Sequence, residues 1–142
     1  MVMLGESELK TIVRNEAAQI KNLELIDHVD FFKMQEYFNQ AICLVNTSAK
    51  EGFPNTFIQA CIGSTPILSY NVDPDSVITD NKMGLLCSNS SEAALQFIYS
   101  LDSRAVKAYG ENAFEYVQKN HDLINTVNAY ELVVRELMAC AE

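Results

Sequence analysis

Apolar residues along this chain follow two alternating rhythms. Short apolar runs at Val2 to Leu4, Leu23 to Ile26, Ala41 to Val45, Pro66 to Tyr70 and Leu85 to Cys87 have strand length. Between them apolar residues recur every three or four positions, the period of a helix. The pattern predicts helices over 6–20, 32–40 and 55–63, with Ser7 as a cap for the first. It also predicts one helical turn within 74–78 and three longer helices over 91–101, 103–119 and 122–140. In the last of these Ile124, Val127, Ala129, Val134, Leu137 and Met138 keep an apolar stripe. Strands alternating with helices imply an α/β domain, a doubly wound parallel sheet with helices on both faces. Right-handed crossovers then bring the carboxyl ends of the strands to one rim. That rim collects Gly5, Asp27 to Val29, Asn46 to Pro54 and Asn71 to Asp75.

The densest chemistry follows the third apolar run, in Thr47-Ser-Ala-Lys-Glu-Gly-Phe-Pro-Asn-Thr-Phe-Ile-Gln-Ala60. At about 100° per residue, Asn55, Thr56, Gln59, Ala60 and Gly63 share one side of a helix. Phe57, Ile58, Cys61 and Ile62 share the other, which suits packing on a sheet. Pro54 fits the first turn and Gly63 fits a left-handed C′ position. The first N–H groups of a helix are unpaired and carry positive partial charge. Open α/β sheets bind ligands at the carboxyl ends of their strands. The segment is therefore a candidate anion site flanked by polar groups.

Composition narrows the possibilities. The chain has 142 residues, enough for one domain with a real core, and 49% of them are hydrophobic. No run approaches membrane-spanning length, and no secretory signal opens the sequence. A net charge of −9 with scattered Lys and Arg argues against nucleic acid as a partner. Cys43, Cys61, Cys87 and Cys140 show no Cys-x-x-Cys spacing and sit in apolar contexts. They read as reduced core residues of a cytoplasmic protein. Asn46-Thr47-Ser48 and Asn89-Ser90-Ser91 match the N-glycosylation pattern by accident on this reading. His28 and His121 lie too far apart in sequence to suggest a His-based metal centre.

Dinucleotide, P-loop, receiver and Gly-x-Ser-x-Gly signatures are all missing. What is present is Ser48-x-x-Glu51-Gly52-Phe53-Pro54-Asn55, then Gln59-Ala60, Gly63 and Thr65-Pro66-Ile67. This resembles the signature of group 1 (family 4) retaining glycosyltransferases. The likeness extends in order through Leu4-Gly5, Asn22 to Val29, Tyr37 to Ser48, Met83-Gly84-Leu85-Leu86 and Gly110 to Ala113. It implies the C-terminal, nucleotide-sugar-binding half of a GT-B fold, Rossmann-like, spanning 1–142 as a single donor-binding domain. The family's first strand–helix unit of this domain, with its Arg and Lys, and its N-terminal acceptor-binding domain have no counterpart in the sequence. The expectation is a fragment of a longer enzyme, inactive alone.

The resemblance also assigns roles. Glu51, first of the family's Glu-x7-Glu pair, corresponds to the carboxylate that contacts the donor sugar. Gly52, Phe53, Pro54, Asn55 and Thr56 correspond to the backbone that holds sugar hydroxyls and diphosphate. Gln59 replaces the second Glu, which accepts from ribose hydroxyls, and its neutral carbonyl is a weaker acceptor. His28 and Val29 correspond to the backbone that holds the base. The implied donor is a UDP- or GDP-sugar, used without a metal or other cofactor, in polysaccharide or glycoconjugate assembly in the cytoplasm or at the inner membrane face.

Plainer readings stand beside these. Glu51 could serve only the helix dipole, Asn55 and Thr56 only capping, and Lys50 only solvation. Asp73 and Asp75 fit a turn better than a sugar contact. The chain could also be a non-catalytic nucleotide- or sugar-binding or interaction module, or part of a GT-B-shaped epimerase.

Overall fold

The computed structural model describes residues 2–3, 10–26 and 29–139. Residues 1–34 and 35–142 form two separate compact units.

In the first unit β1 (Val2–Met3) pairs in parallel with β2 (Leu25–Ile26), and α1 (Lys10–Ala17) lies between them in sequence. This is the strand–helix–strand order that the first apolar runs predict. The expected start of α1, with Leu4, Gly5 and the Ser7 cap, lies outside the described residues. The helix stops at Ala17, three residues earlier than its apolar spacing suggests, and Ile20 remains exposed.

The second unit begins within α2 (Phe31–Gln40) and contains a three-stranded sheet in the order β3 (Leu44–Asn46), β4 (Ile67–Ser69), β5 (Gly84–Leu86). Both of its pairings are parallel, with Leu44 opposite Ile67 and Ile67 opposite Gly84. Helix α3 (Asn55–Ile62) connects β3 to β4. A 3-10 turn (Pro74–Ser76) and α4 (Val77–Asp80) connect β4 to β5. Three helices follow: α5 (Ser91–Ser100), α6 (Ser103–Asn120) and α7 (Leu123–Ala139). The α/β class with parallel strands joined through helices is the one expected.

Local chemistry fixes these boundaries. The Ser90 hydroxyl accepts from the Ala93 amide at the start of α5, and the Asp102 carboxylate accepts from Arg104 and Ala105 at the start of α6. Central strand β4 is flanked on both sides, and Ile67, Leu68 and Ser69 are fully buried. Leu68, Cys87, Ala94 and Phe97 form one core cluster. Helix α3 packs against α6, where a Cβ on Gly110 would run into the carbonyl oxygen of Ser64.

Several expectations need correction. Gly63 does not adopt a left-handed conformation; its φ is −79°, and Ser64 takes the positive φ of 52° instead. Gly63 is needed for space, because a Cβ there would sit 3.0 Å from Gln35 Nε2 and from Phe38 Cβ. The two sides of α3 are also not those of the simple wheel. Ala60 is fully buried and Ile62 is 48% exposed, since the helix is covered along Phe57, Ala60 and Cys61. The last strand starts at Gly84 rather than Leu85, because a residue without a Cβ can lie against the Ile67 carbonyl. The apolar stripe of α7 finds no cover: none of its residues is buried, and Leu137 and Met138 are about two-thirds exposed.

Candidate functional site

Adjacent parallel strands β3 and β4 deliver their following loops, 47–54 and 70–76, to the same edge of the sheet. Asn46, the last residue of β3, is largely buried. Its Oδ1 accepts the Ser48 amide at 2.8 Å, and its Nδ2 donates to Glu51 Oε1 at 3.2 Å. The exposed Glu51 carboxylate is thus held at one oxygen and open at the other. Gly52 is also exposed, and nothing lies within 4 Å of where its Cβ would be.

Beyond Glu51 the chain enters α3 through Pro54, whose φ and ψ of −66° and 122° place it just outside the helix, with no side chain capping the end. The Phe57 amide donates to the Pro54 carbonyl at 3.0 Å. Among the described residues the amides of Gly52, Phe53, Asn55 and Thr56 have no protein acceptor. Pro54 has no N–H, so the expected run from 52 to 56 offers four donors. Asn55 and Thr56 are exposed, and their side chains make no cap, so the plain capping role does not describe them. Gln59 is half-buried one turn further on, and its main-chain carbonyl accepts from Gln35 Nε2 at 3.2 Å.

Phe53 is 39% exposed and contacts two other rings. It meets Phe57 edge-on at a centroid distance of 6.5 Å and His121 at 5.9 Å. The His121 ring also meets Tyr116 at 5.4 Å in a tilted arrangement, and its Nε2 lies 3.2 Å from the Tyr116 hydroxyl. Burial, with smaller contributions from Cys61 and Asp75, pushes the Tyr116 phenol above its ordinary range. The end of α6 therefore backs the loop that carries Glu51.

Other expected groups take other places. Asp73 spends its carboxylate on α4, accepting the Ile78 amide at 2.7 Å, the Thr79 hydroxyl at 2.6 Å and the Thr79 amide at 3.3 Å. That is the turn role. Asp75 is exposed and, like Ser76 after it, has a positive φ. Lys50 is exposed. Val29 belongs to the first unit, and His28 lies outside the described residues. Two open grooves of about 410 and 350 Å3 run along α7, lined by residues such as Tyr130 and Val134, and neither includes Glu51.

Sequence reasoning missed Asn46 and His121. The sequence places Asn46 on the rim but gives it no role there, yet its position directly after an apolar strand is where a side chain can bond back to the following loop. His121 gave no signal, since its partner Phe53 is 68 positions away and no periodicity links them.

Three cysteines, Cys43, Cys61 and Cys87, are free thiols, with Cys61 and Cys87 buried; Cys140 lies outside the described residues. Burial pushes the Cys61 thiol up to about 12. No helix among the described residues is long and apolar enough to cross a membrane.

No curated protein matches the chain significantly. Residues 1–102 match the family described as glycosyl transferases group 1. The match takes in β1 through α5, including the loop of Glu51 and all of α3. Covering well over half of the sequence, it shows that the chain belongs to the group 1 glycosyltransferases.

Proposed function

We propose that this chain is the donor-binding part of a retaining glycosyltransferase that uses a UDP- or GDP-sugar. The observation that carries the reading is the row of unpartnered amides at Gly52, Phe53, Asn55 and Thr56 beside a carboxylate held by Asn46. A leaving nucleoside diphosphate gains negative charge as the glycosidic bond breaks. Fixed N–H groups at a helix start can stabilise that charge without reorganising. Glu51, with one oxygen engaged by Asn46, has its other oxygen for a hydroxyl of the donor sugar. Gln59 accepts from the ribose with its side-chain carbonyl.

Transfer needs more than these groups. Cations to assist the departing diphosphate belong, on this reading, to the first strand–helix unit of the family's donor domain, and a wall for the acceptor to its N-terminal domain. Residues 1–142 alone bind donor but do not transfer. The acceptor is a glycan or lipid-linked sugar, reached in the cytoplasm or at the inner membrane face, and no metal takes part.

Calorimetry with UDP, GDP and their hexose conjugates on the wild type and Glu51→Ala tests the assignment. Loss of a charged hydrogen bond to the sugar weakens the conjugate by about 10- to 150-fold, equivalent to about 1.5–3 kcal/mol. Affinity for the free nucleotide stays unchanged. Equal weakening of nucleotide and conjugate would remove Glu51 from the sugar. No binding of any of them would favour a non-catalytic interaction module.

A further inference from the structure

The 47–54 loop is tied at two points. Asn46 holds its beginning, through the Ser48 amide and the Glu51 carboxylate. At its far end the Phe53 ring contacts Phe57 of α3 and His121. His121 is the C-cap of α6, where its own N–H donates to the Val117 carbonyl at 2.9 Å. Its ring is set by Tyr116, five residues back, through a tilted ring contact and the Nε2–hydroxyl contact. Tyr116 is itself half-buried, and α6 is anchored on α3 through Gly110. A fixed platform therefore reaches from the packed face of α6 to the rim of the site.

We propose that His121 is a positioning residue: its ring, pinned by Tyr116, backs Phe53 and so fixes the direction of the Gly52 and Phe53 amides and of Glu51. Gly52 has open space around it, so without a backing for Phe53 the loop has little to hold it between Asn46 and α3. His121 lies beyond residues 1–102, so the family match assigns it nothing. The positioning role stands on the ring contacts; its effect on nucleotide binding rests on the function proposed above.

Backbone order parameters from 15N relaxation of the 142-residue chain, with UDP and GDP titrations, provide the test. In His121→Ala the order parameters of Gly52 and Phe53 fall from the rigid range near about 0.85 to below about 0.6, while those of Ile67 to Ser69 in β4 do not change. Nucleotide affinity weakens about 2- to 12-fold, the range of one aromatic pair. His121→Phe, which keeps a ring against Phe53, retains the wild-type order. Unchanged order in His121→Ala overturns the proposal, as does equal loss in the alanine and phenylalanine variants. A wild type that binds neither UDP nor GDP removes the donor-binding reading, and the order parameters still decide the positioning role.

Discussion

Asn46 Nδ2 donates to Glu51 Oε1 across 3.2 Å, and the same side chain accepts the Ser48 amide at 2.8 Å. One nearly buried amide at the end of a strand therefore sets both the entry of the loop and the carboxylate at its centre. Replacing Asn46 with Ala removes both bonds and leaves the Ser48 amide without its acceptor. We expect a loss of about 1–2 kcal/mol in stability, read from urea unfolding. Asn46→Asp removes the donor to Glu51 and sets a second acidic group against it, so donor affinity should fall.

Two glycines separate fold from function. A Cβ on Gly110 collides with the Ser64 carbonyl, and backbone cannot move aside cheaply. Gly110→Ala should cost about 1–3 kcal/mol or more by forcing α6 away from α3, seen as a lower Tm. Gly52→Ala meets nothing within 4 Å and should leave Tm unchanged. If a diphosphate approaches the backbone there, the same substitution weakens UDP binding without touching stability.

Cys61 links stability to alkaline pH. Its thiol is pushed up to about 12 by burial, whereas an unfolded thiol ionises near about 8.5. The folded state thus binds the proton more tightly, and its advantage is complete below pH about 8.5. It is lost progressively as pH rises through the folded value. Thermal unfolding between pH 8 and 11 should show a steeper fall in Tm for the wild type than for Cys61→Ser. Native protein should also leave Cys61 unmodified by thiol reagents that label it after unfolding.

Exposed apolar residues on α7 carry little of the stability of this chain. Leu137 is 66% exposed and Val134 52%. Changing either to Lys should shift unfolding by no more than about 0.5 kcal/mol, while light scattering at high concentration should fall as the apolar surface shrinks.

The strand–helix order was readable because period and run length are local properties. The third strand proved shorter than its apolar run: of Ala41 to Val45 only Leu44 and Val45 are paired, since the Ala41 amide is still closing α2 through Phe38. Local reading misjudged Gly63, where the constraint is a neighbouring helix and not the glycine's own backbone. It misplaced Ala60 because a wheel assumes one buried face. The apolar stripe of α7 is legible as a helix, but no pattern in one sequence says whether such a stripe is covered. At the site, the motif pointed to residues 51–56, whereas the bonds of Asn46 and the place of His121 arise from contacts that folding creates.

The central claim is that the amides at the start of α3 receive the diphosphate of a nucleotide. Amide chemical-shift mapping during UDP and GDP titration of the 15N-labelled chain tests it most directly. The account predicts the largest, saturable shifts at Gly52, Phe53, Asn55 and Thr56. Saturable shifts confined to other residues, or none with either nucleotide, would contradict it.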